Sequence, residues 1–288
     1  MFRKIILCLG AVFALAACSG NEVAWPDVPD SEIDKISLDD GTFFAIEDEF
    51  NEDGWKYFVE FTIADGLLTH VSFDGVNIFA ATFKSAAAVN GLSPEDEGEG
   101  LRWDEQISLL EDSFLKFQSY LPADILETAP EDEKPAFDID VAFLINLFKR
   151  AANEGPREAG PYLDGQYFMA QDVNGEYLSE TPYRYFLNMI VRHGYIIAVH
   201  WNAINGEGLR KYEPILPGSL LDSEGEALLW RAQADLLETH LIATQDPMLM
   251  TFDEDQMSQE LFGIHIPVQS FVELAVSALA AGPILEQQ

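Results

Sequence analysis

The chain carries one pattern twice, and that duplication constrains its architecture more than any other feature. Trp103-Asp104-Glu105-Gln106-Ile107-Ser108-Leu109-Leu110-Glu111 returns as Trp230-Arg231-Ala232-Gln233-Ala234-Asp235-Leu236-Leu237-Glu238. Upstream, Tyr57-Phe58 returns as Tyr185-Phe186, Gly66 as Gly194, Val71 as Val199, Asn77 as Asn205, and Asp40-Gly41-Thr42-Phe43 as Asp164-Gly165-Gln166-Tyr167. A period of roughly 125 residues is too long for a solenoid repeat and matches one small domain. The sequence therefore predicts two tandem homologous modules.

Both modules show the same order of periodicities. A short strand is expected after each Asp-Gly, over 42–46 and 166–170. Tyr57, Val59, Phe61 and Ile63 then alternate at period two, as do Tyr185, Leu187, Met189 and Val191, and each run ends at a turn, Asp65-Gly66 or His193-Gly194. Return strands are expected over 67–73 and 195–201, followed by acidic, Gly-containing loops over 90–100 and 217–225. The period next becomes helical. Trp103, Ile107, Leu110, Phe114 and Phe117 form one apolar stripe, and Trp230, Ala234, Leu237, Leu241 and Thr244 form its counterpart. A last helix follows, with Leu144, Leu147, Phe148 and Ala151 in the first module and Phe271, Leu274, Ala275 and Ala278 in the second; Pro267 suits its first turn. The fold class expected is α+β, each module an antiparallel sheet packed by about two helices. The boundaries read as 38–152 for the first module, 153–161 for a Gly/Pro linker, 162–279 for the second module and 280–288 for a tail.

The front of the chain has another character. Arg3 and Lys4 precede an apolar run, Ile5 to Ala17, that is too short to span a bilayer, and Leu15-Ala16-Ala17-Cys18 resembles a lipobox. Resemblance to diacylglyceryl lipoproteins implies that 1–17 is a signal peptide and that Cys18 becomes the acylated first residue. Residues 18–37, with Pro26 and Pro29, then form a tether. Ser19 rather than Asp follows Cys18, which under the usual sorting rule of a Gram-negative envelope favours the periplasmic side of the outer membrane. Cys8 leaves with the signal, so a lipidated mature chain has no thiol for disulfides, zinc or Fe–S clusters.

Fifty acidic residues against sixteen basic ones give a formal charge of −34, and loss of Arg3 and Lys4 takes it to about −36. No basic patch survives, which argues against nucleic-acid binding. The charge reads as a solvated anionic surface, with an acidic docking face for a basic redox partner as the alternative.

Asp40-Gly41-Thr42-Phe43, Asp48-Glu49-Phe50, Asp53-Gly54-Trp55-Lys56, Asp65-Gly66 and Phe73-Asp74, in that order, resemble the FMN-binding domain family. The likeness is to its membrane-anchored lipoprotein branch, once called major membrane immunogens, and to two-domain extracellular electron-transfer lipoproteins. In flavinylated members a Ser-Gly-Ala-Thr motif precedes the last helix, and its threonine hydroxyl is esterified to the FMN phosphate at a helix N-terminus, where free N–H groups favour an anion. The corresponding residues here are Pro135-Ala136-Phe137-Asp138 and Phe262-Gly263-Ile264-His265. Asp138 and His265 stand at the acceptor position and neither carries a hydroxyl. Asp138 and Asp140 are expected to cap their helix and to repel a phosphate. Noncovalent FMN is then left to the second module, where Gly263 and His265 would meet the phosphate. Asn205, retained opposite Asn77, either caps a turn or touches such a ligand.

Other chemistry finds little support. Four of the five histidines, His193, His200, His240 and His265, fall in the second module, but none is spaced as a helical metal pair, and they are expected as scattered solvent or edge residues. Glu95-Asp96-Glu97-Gly98-Glu99-Gly100 lacks the ligand order of an EF-hand. No nucleophile, Walker or dinucleotide motif is present, so at most the chain is an electron carrier rather than an enzyme. Two readings stand: a divergent FMN-type electron-transfer or flavin-binding lipoprotein, and a cofactor-free structural or partner-binding lipoprotein of the envelope.

Overall fold

A computed structural model describes residues 36–92, 101–119, 122, 137, 139, 141–171, 183–208, 210, 211, 226–259, 261, 264, 266 and 268–284. The first module comprises strands β1 (Gly41–Ile46), β2 (Trp55–Ala64) and β3 (Leu67–Asn77), then helices α1 (Lys84–Val89), α2 (Trp103–Phe117) and α3 (Ala142–Glu154). The second comprises β4 (Gly165–Ala170), β5 (Tyr183–Arg192), β6 (Tyr195–Asn205), α4 (Glu226–Thr244), a 3-10 turn over Pro247–Leu249 and α5 (Gln269–Ala281). Each sheet is antiparallel, in the orders β1-β2-β3 and β4-β5-β6. The α+β architecture read from the periodicities is the architecture observed.

The duplication extends to individual hydrogen bonds. Both hairpins turn through two left-handed residues, Asp65 and Gly66 (φ 53° and 71°) and His193 and Gly194 (φ 52° and 73°), a geometry whose twist matches that of the strands. The aspartate of each repeated Asp-Gly folds over its turn. Asp40 accepts from Asp65 N and Gly66 N at 3.1 and 2.9 Å, and Asp164 accepts from His193 N and Gly194 N at 3.1 and 2.7 Å. Register slips at the same place in each sheet, between Thr62 and Ile63 and between Ile190 and Val191.

The helical stripes pack into the cores as far as Phe114 and Leu241, while Phe117 and Thr244 at their ends are only partly buried and lie outside the core clusters. In the first core Phe43 stacks on Phe61, Phe61 on Phe148 and Phe148 against Phe114, with centroids 4.7, 4.3 and 4.5 Å apart. In the second, Trp201 packs on Trp230 at 4.8 Å, Tyr185 at 5.3 Å and Phe271 at 5.5 Å. Each such ring removed from water contributes about 1.5–3 kcal/mol.

The return strands run four residues beyond the expected spans, to Asn77 and Asn205. The backs of the sheets supply the reason, because they are not solvated. Phe44, Phe58, Val76 and Ala80 of the first module form one buried cluster with Ile190, Ile197 and Ala198 of the second. The layers are therefore helices, sheet, sheet, helices, with the two sheets back to back. This corrects the expectation for two histidines: His193 and His200 are buried, at 7% and 2% exposure, on the second module's contribution to that seam. His193 is a turn residue and His200 pairs across the strands with Asn188, so register does not bring them face to face.

Short α1 was not anticipated, because Lys84-Ser85-Ala86-Ala87-Ala88-Val89 is only one and a half turns and has no apolar stripe. Helix α5 begins at Gln269, after Val268 as N-cap; Pro267 lies outside the described residues. The same holds for the signal peptide, Cys18, most of the tether, most of the first acidic loop and all of the second.

Candidate functional site

The approach to each last helix is where the family resemblance would put a flavin phosphate. Phe137 and Ile139 pack against the first core; Ile264 and Ile266, their repeat equivalents, are buried in the second. Alternate side chains thus anchor this segment inward in both modules. The N-caps of α3 and α5 are Val141 and Val268, neither making a side-chain cap. No serine or threonine stands between Pro135 and Val141 or between Leu261 and Val268. These residues do not fit a phosphoester-linked FMN. Asp138, Asp140, Gly263 and His265 lie outside the described residues. Asn205 is described. Its side-chain oxygen accepts from Glu207 N at 3.0 Å and its carbonyl accepts from Gly208 N at 3.0 Å. Asn77 holds its own turn likewise, accepting from Ala81 N at 2.9 Å.

A duplicated feature that the sequence reading missed lies beside the sheets. Lys84, 1% exposed, places its ammonium 5.4, 5.2 and 5.5 Å from the rings of Trp55, Tyr57 and Trp103 and donates to Tyr57 Oη at 2.7 Å. Lys211 lies 5.4, 5.2 and 5.5 Å from Tyr183, Tyr185 and Trp230 and donates to Tyr185 Oη at 2.9 Å. Desolvated cation–π contacts contribute about 2 kcal/mol or more, so each lysine fills an aromatic cage with the chain's own cation. The signal was the common spacing of each lysine before its tryptophan, 84 to 103 and 211 to 230.

The outer edges of β3 and β6 are closed by side chains rather than by another strand. Gln118 accepts from Leu68 N and donates to Leu68 O, both at 2.8 Å, and Gln245 does the same for Ile196 at 2.7 and 2.9 Å. Glu111 accepts from Phe73 N at 2.7 Å and Glu238 from Trp201 N at 2.7 Å. An open strand edge invites pairing with another chain, and these amides and carboxylates satisfy it. The two glutamates differ in company. Burial pushes Glu111 up to about 7, against the hydrogen bond from Phe73 N and the charge of Arg192. Burial also raises Glu238, but Arg231 lies 2.5 Å away, itself paired with Asp235 at 2.6 Å and donating to Trp201 O at 3.0 Å.

Polar groups sit inside the seam. Glu60 of β2 reaches His193 Nδ1 at 3.3 Å and Arg192 at 3.6 Å. His193 Nε2 lies 3.0 Å from the Arg157 carbonyl, and its ring stacks on Phe44 at 5.7 Å. The hydrogen bond to Glu60 pushes His193 above its ordinary range; that bond and Arg192, against the cost of burial, hold Glu60 below its own. Farther along, Asn188 donates to the Phe79 carbonyl at 3.0 Å and His200 meets the Phe79 ring edge at 5.6 Å. Burial, then Arg231 and Arg210, drive His200 down to about 3, so it is neutral.

Among the described residues no group of three or more His, Cys, Asp or Glu is arranged to hold a metal ion, and no helix is long and apolar enough to cross a membrane.

No protein-family model and no curated protein matches the chain. Two solved structures are similar to part of it. One is a solution NMR structure of a protein from Clostridium thermocellum, 27% identical, covering 43% of this chain and 95% of that one, with a TM-score of 0.32. The other is a crystal structure of a protein from Clostridium perfringens, 18% identical, covering 41% of this chain and 85% of that one, with a TM-score of 0.26.

Proposed function

We propose that the chain is a lipid-anchored envelope protein that uses its double module as a cofactor-free body for binding a partner. One observation carries this reading: the segments before both last helices turn Phe137 and Ile139, and Ile264 and Ile266, into the cores. Where the FMN-binding family needs small residues and a hydroxyl, these modules use apolar anchors. The lysines that fill both aromatic cages and the side chains that close both strand edges fit a scaffold that has spent its polar groups on itself. The lipobox-like Leu15-Ala16-Ala17-Cys18 supports the anchor, and the absence of a basic patch supports a protein partner over nucleic acid.

A second reading, noncovalent flavin in the second module, rests on a single observation. Trp201 Nε1 is buried without a hydrogen-bond acceptor among the described residues, between Tyr185 and Trp230, and a buried donor without an acceptor costs about 1–3 kcal/mol. The first module has Phe73 there. Titrating FMN into purified protein separates the two. Unquenched flavin fluorescence and a colourless preparation support the cofactor-free body; saturable quenching refutes it. Metabolic labelling with a fatty acid tests the anchor, which Cys18→Ala should abolish.

A further inference from the structure

We propose that His193 is a pH-operated clasp between the two modules: its protonated ring pins the second hairpin to the first sheet, and loss of one proton loosens the seam.

The geometry requires two ring protons. Nδ1 faces a Glu60 carboxylate oxygen at 3.3 Å, and Nε2 faces the Arg157 carbonyl oxygen at 3.0 Å. Both partners are acceptors only, so both nitrogens must donate, and only the imidazolium does that. A neutral ring would turn one lone pair onto one of these oxygens inside a buried site, and an unmade buried hydrogen bond is costly. The ring is seated for transmission. It stacks between Phe44 of β1, at 5.7 Å and 10°, and Tyr195 of β6, at 6.2 Å and 27°. Phe44 belongs to the apolar cluster shared by the modules. Duplication shows that the histidine is an addition to the hairpin and not a requirement of it. The equivalent turn residue is Asp65, which has the same left-handed backbone and is exposed.

The charges around the ring come from every packed element. Glu60 comes from β2, with His70 of β3 close enough to Glu60 to be felt. Arg192 comes from β5, and Asp164 precedes β4 and binds the His193 main chain. Arg157 from the linker has its guanidinium 3.9 Å over Tyr195, whose hydroxyl donates to Glu158 O at 3.1 Å. The carboxylates of Glu60 and Asp164, with the Arg157 carbonyl, outweigh the cost of burial at the ring, and the balance favours the proton. A histidine stabilised in its charged form contributes fully below its unfolded value, near 6.5, and that contribution is lost as pH rises through its higher folded value. Glu60 sets the lower bound. Its contribution is present above its unfolded value and fades as pH falls through its depressed folded one.

The test is a pH titration of the full mature chain with ring-labelled histidine, read by NMR, with amide protection over 190–198 followed by hydrogen exchange and corrected for the intrinsic rate at each pH. His193 should titrate above 6.5, and protection should fall as it loses its proton. Glu60→Gln should lower the His193 value to 6.5 or below, and His193→Gln should abolish the part of the fall in protection that tracks the His193 titration. The proposal is overturned by a His193 value at or below 6.5 in the parent chain. It is equally overturned by a value that Glu60→Gln does not move, or by protection in His193→Gln that falls with pH just as in the parent. The parent and Glu60→Gln titrations decide the matter if His193→Gln does not fold.

Discussion

Replacing Glu111 with glutamine should stabilise the protein, and only above a definite pH. The carboxylate accepts the Phe73 N–H on the β3 edge and is half-buried, with Asp74 and Asp112 adding their repulsion. A carboxyl carried from 4.5 in the unfolded chain to about 7 in the folded one weakens the fold by about 3 kcal/mol once it is fully ionised, at about 1.4 kcal/mol per pH unit. Residual solvent contact trims this to about 2–3 kcal/mol. Glutamine keeps the accepting oxygen and removes the charge. The fold with Glu111 is at its best below 4.5, where the carboxyl is protonated in both states. Its stability declines as pH rises from there towards 7, then levels. Glu111→Gln should therefore equal the parent near pH 4.5 and exceed it by about 2–3 kcal/mol at pH 8, about 5–10 °C in Tm. Urea unfolding at pH 5, 6, 7 and 8 measures the gap. The exposed Glu52→Gln controls for the loss of one negative charge and should stay within about 0.5 kcal/mol. A Glu111→Gln protein no more stable than the parent at pH 8, or a gap equal at pH 5 and pH 8, would refute the reasoning.

The equivalent change in the second module should have the opposite sign. Glu238→Gln takes from Arg231 its buried counter-charge and leaves it only the exposed Asp235, and losing a buried ionic partner costs up to about 3–5 kcal/mol; urea unfolding at pH 8 should place it below the parent. Lys84→Ala should cost about 2–4 kcal/mol through the lost cation–π contacts and the cavity left, read as a lower urea midpoint. The two hairpin glycines make a matched pair. Gly66→Ala meets open space and only a left-handed backbone, costing about 1–2 kcal/mol. Gly194→Ala would also drive its Cβ to 2.4 Å from Gly160 O, so its Tm should fall clearly further. Equal Tm values would mean that the linker does not lean on the second hairpin.

Much of the fold was legible because it is written in periods. Alternation at Tyr57, Val59, Phe61 and Ile63 and helical spacing at Trp103, Ile107, Leu110 and Phe114 both reflect burial against one core, and duplication repeated each signal. The repeated Glu111 and Glu238 were visible within their motif, but not their task, since which strand edge a carboxylate seals depends on how the helix lies along the sheet. The candidate site was less legible. Absence of a hydroxyl at Asp138 and His265 could be read directly, whereas the inward turn of Phe137, Ile139, Ile264 and Ile266 could not, because two apolar residues in each short segment have no period long enough to show a face.

Local order, then, was the sequence's to determine: two α+β modules, their hairpins and the apolar faces of their strands and helices follow from side-chain chemistry repeating in step with backbone geometry. Only tertiary structure decided that the sheets stand back to back, that His193 and His200 are buried, and that Glu111 and Glu238, alike in sequence, differ in company. The first two outcomes depend on surfaces meeting across more than a hundred residues of chain, and the third on how each helix lies along its own sheet, with Phe73 and Trp201 38 and 37 residues before their glutamates. Phe58, Glu60, Ile190 and His200 alternate with core residues as any exposed face would, and nothing local records that a second sheet lies against them.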